Sequence, residues 1–367
     1  MIVGAGPAGS SLAIMLGEAG VDTVLLDRAT FPRDKACGEG LMPSGVRVLE
    51  SLGVDLAGFP RLTGVTYRVP RAGSASGDFL DGKTGRGTRR MAFDVMLAER
   101  AAATRNVRAL FACEVSGIDG RTVMTATGDV AGRAVVAADG IHSQLARWMG
   151  WSRPARRPHR YAFAGHAPAP GHGIDRIVVT VLDGCEVYTA PTSGDELLVA
   201  VLGTKSGLRE DGETAQHAYE RHVADAHPQL SVAGAAVRGA GPFWVRPSRV
   251  AGDGVFLIGD AAGFLDPLTG DGMSDALVAA SKLSGILASQ VENPEAVYAR
   301  WESAQWRRRV LVSRLALLLT GSSVLARRAL RRLQGRPVTL NRLLEVNDGS
   351  RSLWSLSVRD WAALAGV

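Results

Sequence analysis

The hydrophobic pattern at the amino terminus predicts a strand, a turn, a helix and a second strand. Ile2 and Val3 end a short apolar run, and the segment from Gly9 to Ala19 is apolar at helical spacing. A second apolar run, Thr23–Leu26, is suited to a buried strand. Strands that alternate with helices in this way are typical of an α/β fold with a parallel sheet.

Farther along the chain the pattern changes twice. From about residue 160 to 250 it consists of short apolar runs typical of strands, interrupted by one predicted helix from Glu213 to Ala226. A glycine-rich loop then leads into a long predicted helix from Ser274 to about Val291, and the tail from Pro294 is mostly helical. We therefore expect an α/β fold with an α+β second layer: a Rossmann-like domain, a β-sheet domain and a helical C-terminal tail.

Three glycines after the first strand, Gly4, Gly6 and Gly9, have the spacing Gly-x-Gly-x-x-Gly. Glycines at this spacing permit a tight turn, a close approach of the backbone to a pyrophosphate, and close packing of helix on strand. The N-terminus of the following helix offers free N–H groups to the phosphate. Asp27, after the second strand, can accept hydrogen bonds from ribose hydroxyls. The combination predicts a dinucleotide site; a glycine-rich turn that binds nothing is the alternative.

Composition narrows the class of protein. The 367 residues are 46% hydrophobic, which indicates a globular protein, and the length favours two domains. The formal charge of +6 comes almost wholly from arginine, and no segment resembles a nucleic-acid-binding module. Cys37, Cys113 and Cys185 lack the spacing of metal ligands, so we expect no metal. So few cysteines, without a signal-peptide pattern, favour the cytoplasm.

Two later segments place polar groups at the ends of predicted strands. One contains Asp139 and Gly140, and the other contains Gly259 and Asp260 after an apolar run. Cofactors lie at the carboxyl ends of parallel strands in doubly wound folds. Asp260 is therefore suited to the polyol chain of a flavin. The loop Pro267–Met273 would let backbone N–H groups approach an electron-poor ring just before a helix N-terminus.

These motifs carry a resemblance to a known family. GAGPAG, the acid at Asp27, ADGIHSQLAR and GDAAGFLDPLTGDG, in this order, resemble the para-hydroxybenzoate-hydroxylase-like superfamily of FAD-dependent oxidoreductases, which includes the group A flavoprotein monooxygenases. The stretch RDKACGEGLMPSGVRVLESLG resembles its geranylgeranyl-reductase-like branch. The match covers nearly all of residues 1–290. The resemblance implies FAD as the cofactor and NAD(P)H as the electron donor.

The resemblance also implies which residues bind FAD. The first glycines would cradle the pyrophosphate, Asp27 and Arg28 would contact the adenosine, and Asp260 would hold the ribitol. The whole expected set is Gly4, Gly6, Pro7, Ala8, Gly9, Asp27, Arg28, Lys35, Ala36, Cys37, Arg90, Val115, Asp139, Gly140, Gly259, Asp260, Pro267, Gly270, Gly272 and Met273.

Four of the expected residues bear on the reaction. By the resemblance, Cys37 lies beside the flavin ring, where its thiol could donate a proton or simply pack against FAD, and Lys35 could neutralise a phosphate or the reduced ring. Tyr188 and Pro191 fall where reductases of lipid chains carry Tyr-x-Trp-x-Phe-Pro, so we expect substrate contacts there. This chain has Tyr-Thr-Ala-Pro instead, which argues against polyprenyl reduction.

The resemblance implies three regions. The FAD-binding domain would be discontinuous and comprise residues 1–60, 84–158 and 250–292. The β-rich substrate domain would comprise residues 61–83 and 159–249, and residues 293–367 would form a helical C-terminal region.

Three functions are compatible with these observations. The first is an NAD(P)H-dependent monooxygenase that oxygenates a small organic, natural-product-like substrate through a flavin hydroperoxide. The alternative is an FAD-dependent ene reductase of the geranylgeranyl-reductase type, which the segment around Cys37 favours. A more remote alternative is a non-enzymatic binding protein on the same fold. The sequence does not select NADH or NADPH, the substrate, or the oligomeric state.

The segment 307–332 combines an apolar run with basic flanks. Arg314 interrupts the run, which is too short to span a membrane. The preferred interpretation is a helix packed on the body of the protein. The alternative is a basic amphipathic helix that lies on a membrane surface. We expect a small organic substrate as the partner and no nucleic acid.

Overall fold

The structure is a computed structural model and describes residues 1–289 and 291–365. Its α-helices, in chain order, are α1 Pro7–Glu18, α2 Pro43–Ser51, α3 Arg90–Ala103, α4 Gln144–Trp148, α5 Lys205–Leu208, α6 Ala215–Ala226, α7 Gly272–Ala288, α8 Pro294–Thr320, α9 Ser323–Leu333, α10 Pro337–Asn347 and α11 Val358–Ala365. Its strands are β1 Ile2–Val3, β2 Thr23–Leu26, β3 Gly40–Leu41, β4 Arg61–Leu62, β5 Gly64–Val69, β6 Gly73–Asp78, β7 Gly85–Gly87, β8 Val107–Leu110, β9 Val115–Asp119, β10 Thr122–Thr125, β11 Val130–Ala131, β12 Val135–Ala137, β13 Arg160–Pro168, β14 Ile177–Val181, β15 Cys185–Pro191, β16 Glu196–Thr204, β17 Arg238–Ala240, β18 Ala251–Gly252 and β19 Val255–Leu257.

A six-stranded sheet with the order β18-β19-β12-β1-β2-β8 forms the first layer. Its strands are parallel except for the β18–β19 pair, and Ile2 of β1 lies opposite both Leu25 of β2 and Val136 of β12. The fold class predicted from the alternating pattern is confirmed. Because the strands are parallel, the loops that follow β1, β2, β12 and β19 meet at one edge of the sheet.

The helices α1 and α7 pack against each other beside this sheet. The middle of α1 is completely buried, including Leu12, Ala13 and Ile14. A Cβ atom on Gly9 would overlap the carbonyl oxygen of Gly4, so the third glycine of the motif is required for the helix to lie this close to the first strand.

A seven-stranded sheet with the order β17-β13-β16-β15-β14-β5-β6 forms the second layer. All of its neighbouring strands are antiparallel except β14 and β5. Side chains alternate between its faces, as expected for strands. Val187, Val199 and Val201 pack with Tyr219 and Val223 of α6 on one face. Residues of the opposite face, including Tyr188, turn towards the first layer. The domain boundaries stay a prediction.

The C-terminal helices cover the β5–β6 end of the second sheet. Leu330 and Leu333 of α9 pack with Val69 and Ala75 of that sheet and with Leu364 of α11. No single helix within residues 1–289 and 291–365 is long and apolar enough to cross a membrane. The helices α8 and α9 meet that length and composition only as a pair, and they are bent by 103°.

Several predicted helices differ at their ends from the observed ones. The first begins at Pro7, because proline suits the first helical turn, where a backbone N–H is not needed. The helix predicted from Glu213 begins at Ala215, because the Thr214 hydroxyl caps it by accepting from the N–H of His217. The long helix predicted from Ser274 to Val291 is α7, which begins two residues earlier and ends at Ala288.

Candidate functional site

A cavity of about 660 Å³ lies between the edge of the parallel sheet and the second sheet. Every residue predicted to bind FAD lines this cavity except Gly9, which packs α1 onto β1. Tyr188 also lines it, whereas Pro191 does not. The fold thus brings together residues as far apart in sequence as Gly4 and Met273. Their contact with FAD stays a prediction.

Two helix N-termini open towards this cavity. No side chain caps α1 at Gly6 or α7 at Asp271, and neighbouring residues of both helices line the cavity. A Cβ on Gly6 would meet only the Arg33 guanidinium, at 3.4 Å, so this glycine leaves open space in front of the α1 N-terminus. Uncapped N–H groups and a positive helix end in such a space are suited to an anion such as a pyrophosphate.

The carboxylate of Asp27 is held by several donors at the end of β2. It accepts hydrogen bonds from the backbone N–H groups of Ala5, at 2.7 Å, and Ala29, at 2.8 Å. Arg33 also lies against it at 3.2 Å and stacks on the ring of Phe31. Sequence analysis missed Arg33. A ribose hydroxyl that contacts Asp27 would share it with this guanidinium.

A buried ion pair fixes Arg90 at the cavity wall. Its guanidinium donates two hydrogen bonds of 2.7 Å to the carboxylate of Asp94. Burial lowers the pKa of Arg90, but the attraction of Asp94 outweighs burial, so the pKa lies above its ordinary value. The thiol of Cys37 also lies beside this guanidinium and contributes to the same rise of the Arg90 pKa. Arg90 is thus a fixed positive charge next to Cys37.

The acids Asp139 and Asp260 stand at the carboxyl ends of β12 and β19. One oxygen of Asp139 accepts from the backbone of Gln144 at 2.8 Å, while its Oδ1 atom is buried without a partner in the described part of the chain. Burial raises the pKa of Asp139 despite its hydrogen bonds. Asp260 lies 3.7 Å from Lys35. The Oδ1 atom of Asp139 is thus available to accept a hydrogen bond from a ligand hydroxyl.

These donor and acceptor groups fit FAD. The uncapped helix ends, with Arg28, Arg33 and Lys35, are suited to a pyrophosphate, and the acids at the strand ends are suited to ribose and ribityl hydroxyls. The glycine at position 6 leaves the space that a close backbone approach needs.

The segment Cys37–Gly40 contains an acid that sequence analysis missed. Glu39 is almost completely buried and has a positive φ of 56°, which is uncommon for a residue other than glycine. Its carboxylate accepts from the backbone N–H of Arg90 and pairs with His166, each at 2.8 Å, and its own N–H points at the Cys37 sulfur at 3.4 Å. The contacts of the Glu39 carboxylate therefore anchor a strained turn next to Cys37.

His166, the partner of Glu39, is a residue that sequence analysis did not assign to the site. In the structure it lies on β13, pairs with Glu39 and is also in contact with Arg89. The only sequence signal for this cluster is the acid between two glycines in Gly-Glu-Gly, which is typical of a tight turn.

Tyr188 is buried among three glycines. A Cβ added to Gly38, Gly40 or Gly270 would lie 3.3, 2.5 or 3.4 Å, respectively, from the nearest ring or hydroxyl atom of Tyr188. These glycines therefore make room for the tyrosine as well as for a ligand. The Tyr188 hydroxyl has no hydrogen-bond partner among the described residues. Burial, followed by the nearby Cys37, raises its pKa far above the ordinary value, so the group stays protonated.

The rest of the second-sheet wall is apolar. Small side chains form its centre, and the aromatic rings of Phe243 and Phe264 pack edge to face beside them at 5.4 Å. The wall comprises Ala162, Ala164, Ala200, Leu202, Ala240, Phe243 and Phe264. Tyr188 is the polar side chain in this patch, and it also borders a second, smaller apolar cavity of about 80 Å³ beneath α8, α9 and α10. Such a wall is suited to an apolar substrate.

Comparison with known proteins agrees with this geometry. A family model described as FAD binding domain matches residues 1–63, and one described as FAD dependent oxidoreductase matches residues 86–289. The chain is 28% identical to a menaquinone reductase of Mycobacterium tuberculosis, over 99% of this chain and 93% of that protein. It is 29% identical to digeranylgeranylglycerophospholipid reductase 2 of Methanopyrus kandleri, over 80% of this chain and 78% of that protein.

Solved structures share the fold. PqsL of Pseudomonas aeruginosa, named a probable FAD-dependent monooxygenase, superposes with a TM-score of 0.74 at 21% identity, over 88% of this chain and 96% of that one. At this identity the likeness concerns the fold alone. The second family model covers more than half of the chain, and the predicted motifs line one cavity. The chain therefore belongs to the FAD-dependent oxidoreductase family.

Proposed function

We propose that this protein uses FAD to reduce a carbon–carbon double bond of an apolar substrate. The observation that carries the proposal is the Tyr188 hydroxyl, which is buried, protonated and unpartnered in an otherwise apolar wall, near the Cys37 thiol. Two relatives that align along most of the chain are named reductases, and this supports the same choice.

Reduced FAD, when bound, supplies a hydride to the substrate. The second sheet then has two tasks: its alanines and leucine hold the substrate and exclude water, and Tyr188 donates a proton to the carbon that does not receive the hydride. Solvent returns the proton to the tyrosinate afterwards. The Cys37 thiol is the second candidate donor. We propose NADH or NADPH as the source of electrons.

The test is product analysis under two atmospheres. The FAD-loaded protein is incubated anaerobically with NADPH or NADH and with menaquinone or a digeranylgeranyl phospholipid, the molecules in the names of the relatives. We expect a product heavier by two hydrogens per reduced double bond. Tyr188→Phe should lower turnover about a hundredfold and leave the flavin spectrum unchanged.

A matched substitution separates the two candidate donors. If Tyr188 is the donor, Cys37→Ser should retain most of the turnover that Tyr188→Phe loses. The reverse ranking would assign the proton to Cys37. Wild-type turnover in both variants would contradict proton donation from either residue.

Oxygenation is the second candidate, and one feature of the chain favours it. The segment Tyr188–Pro191 lacks the tryptophan and phenylalanine expected of lipid-chain reductases, and alanines at this wall leave room for a ring-shaped substrate. A product heavier by one oxygen, formed only in air, with no anaerobic product from any substrate, would support this candidate and contradict reduction.

A further inference from the structure

We propose that the C-terminal helices form a docking face for an anionic lipid bilayer. The face comprises the outer surfaces of α8 from Arg307 onwards, α9, and the segment from Trp354 to Trp361, and we call it the C-terminal face. The proposal does not depend on which reaction the cavity performs. It rests on the distribution of charge, on exposed apolar side chains, and on their arrangement along two helices.

The charge of the chain is concentrated in this region. Between Glu302 and Glu345 there are ten arginines and no acidic residue. This segment therefore has a formal charge of +10, whereas the rest of the chain has 32 basic and 36 acidic residues. The overall charge of +6 conceals this asymmetry, which is large enough to orient the protein towards a negatively charged surface.

About half of these arginines make side-chain contacts inside the protein. Arg308, Arg309 and Arg342 form ion pairs with Asp275, Glu302 and Asp360. The four arginines of α9 are exposed and form no ion pair within residues 1–289 and 291–365: Arg327, Arg328, Arg331 and Arg332. The opposite side of α9 packs against the protein and buries Ala326, Ala329, Leu330 and Leu333.

Exposed apolar side chains are concentrated in the same region. Of the eleven large hydrophobic residues exposed in the described chain, eight lie between Leu311 and Trp361. Trp354 and Val358 are 83% and 85% exposed, and Leu318 is 63% exposed. Apolar side chains so exposed cost free energy in water and are typical of interaction surfaces. Tryptophan in particular is enriched at membrane–water interfaces.

Along α8 the two kinds of residue share one stripe. Arg307, Leu311, Arg314 and Leu318 are all exposed and follow one another at intervals of four, three and four residues. This spacing places them on one side of the helix. Leucines that enter the lipid boundary and arginines whose charged ends stay at the headgroups are the arrangement of helices that lie in a membrane interface.

Other anionic partners fit these observations less well. A nucleic acid would use the arginines but would gain little from exposed leucines and valines. A bilayer with anionic headgroups uses both. The inner sides of α8, α9 and α10 also line the small apolar cavity that borders Tyr188. A membrane at the C-terminal face would thus lie next to that cavity.

The experiment measures binding of the FAD-loaded full chain to vesicles by flotation. One set of vesicles is phosphatidylcholine, and the other also contains about 30% phosphatidylglycerol. We expect binding to the anionic vesicles at about 0.1 M salt, and much weaker binding at about 0.5 M salt, where surface charges are screened. Equal binding to both kinds of vesicle, or to neither, would overturn the proposal.

Two arginine variants identify the face. In the first, Arg327, Arg328, Arg331 and Arg332 are changed to glutamine, which keeps helix propensity. Each arginine near an anionic surface contributes about fivefold to binding, so we expect a loss of about a hundredfold or more. The matched control changes four exposed arginines elsewhere, Arg108, Arg133, Arg153 and Arg157, and should lose less than about threefold. Thermal unfolding of both variants shows whether they fold.

A third variant tests the apolar contribution. Trp354→Ser combined with Val358→Ser should reduce binding about tenfold, because these side chains no longer leave water on docking. It should also remove the binding that persists at high salt. A control variant that loses as much as the α9 variant, or tighter binding to duplex DNA than to anionic vesicles, would contradict the proposal.

Discussion

The two walls of the large cavity are constructed differently. The wall made by the parallel sheet depends on backbone geometry: glycines, strand ends and uncapped helix N-termini determine its shape. The wall made by the seven-stranded sheet depends on side chains from β13, β15 and β16, which come together only in the folded sheet. The residues predicted to bind the cofactor therefore belong to motifs that follow predicted strands, whereas the residues of the second wall belong to no such motif.

The largest expected effect tests the backbone wall. Gly9→Ala places a Cβ against the carbonyl oxygen of Gly4. The Cβ is fixed to the backbone of α1 and the oxygen is a backbone atom, so neither can move without separating α1 from β1. We expect the free energy of unfolding to fall by about 3 kcal/mol or more, and FAD to be lost. Denaturant unfolding and the flavin absorption of the purified protein measure both.

Gly6→Ala is the matched control for this substitution. Its Cβ meets only the flexible end of Arg33, at 3.4 Å, and otherwise faces the cavity. The apoprotein should keep its stability within about 0.5 kcal/mol, while FAD affinity falls at least about tenfold. Equal effects of the two substitutions on stability would contradict the distinction between packing and cofactor space.

The same difference explains how much of the site could be predicted from sequence. Gly4, Gly6, Asp27 and Asp260, which were predicted to bind FAD, line one cavity because each comes after a strand of a parallel sheet, and their contact with FAD stays a prediction. Glu39 and His166 were missed, because they are 127 residues apart and their pairing depends on how β13 lies over the turn after Cys37. Periodicity predicts the existence of such a strand and not which loop it contacts.

A buried ion network links the two walls, and its disruption should have an effect of similar size. Arg160 of β13 donates hydrogen bonds of 2.7 Å to Glu186 of β15 and to Asp266, which precedes the Pro267–Met273 loop. Arg160→Met would leave two buried carboxylates without a cation. We expect a loss of about 3–5 kcal/mol at pH 7, measured by denaturant unfolding.

The pH dependence of this variant provides its control. Burial already raises the pKa of Glu186 even with Arg160 in place. Because folding raises this pKa, the folded state favours the protonated carboxyl. The contribution of Glu186 to the free energy of unfolding is therefore present at low pH and is lost as the pH rises through the folded-state pKa. The deficit of Arg160→Met should therefore be smaller at pH 5 than at pH 8. A deficit that does not change with pH would show that packing, and not charge, holds the walls together.

Stability should depend on pH with opposite signs in the two regions. His227 lies behind the second sheet against Thr189 and Arg68, and burial, followed by the charge of Arg68, lowers its pKa from 6.5 to about 4. This histidine stabilises the fold above pH 6.5, and the contribution is lost as the pH falls through 4. Asp271, at the start of α7, has its pKa raised from 3.8 to about 6 by burial and then by Asp275. Its contribution is present below pH 3.8 and is lost as the pH rises through 6.

Two single variants separate these slopes. Between pH 6.5 and 4 the free energy of unfolding of the wild type should fall by about 2–3 kcal/mol because of His227, and this fall should be absent in His227→Gln. Between pH 4 and 6 it should fall by about 1–3 kcal/mol because of Asp271, and this fall should be absent in Asp271→Asn. The measurement is the free energy of unfolding of the apoprotein across this range. If both variants change the slope in the same direction, the assignment of opposite signs is wrong.

The smallest effect on stability concerns Tyr188 and is the most specific test of the second wall. Its hydroxyl is buried without a partner, and an unsatisfied buried donor costs free energy, so Tyr188→Phe should leave the apoprotein unchanged or more stable by up to about 1 kcal/mol. The same change should leave FAD binding intact, because the ring still fills the space among Gly38, Gly40 and Gly270. Tyr219 provides the contrast, since its equally buried hydroxyl donates to the Val199 carbonyl at 3.2 Å, and Tyr219→Phe should cost about 1 kcal/mol. If Tyr188→Phe loses as much stability as Tyr219→Phe, the Tyr188 hydroxyl has a partner within the protein. It would then not be available to donate a proton to a substrate.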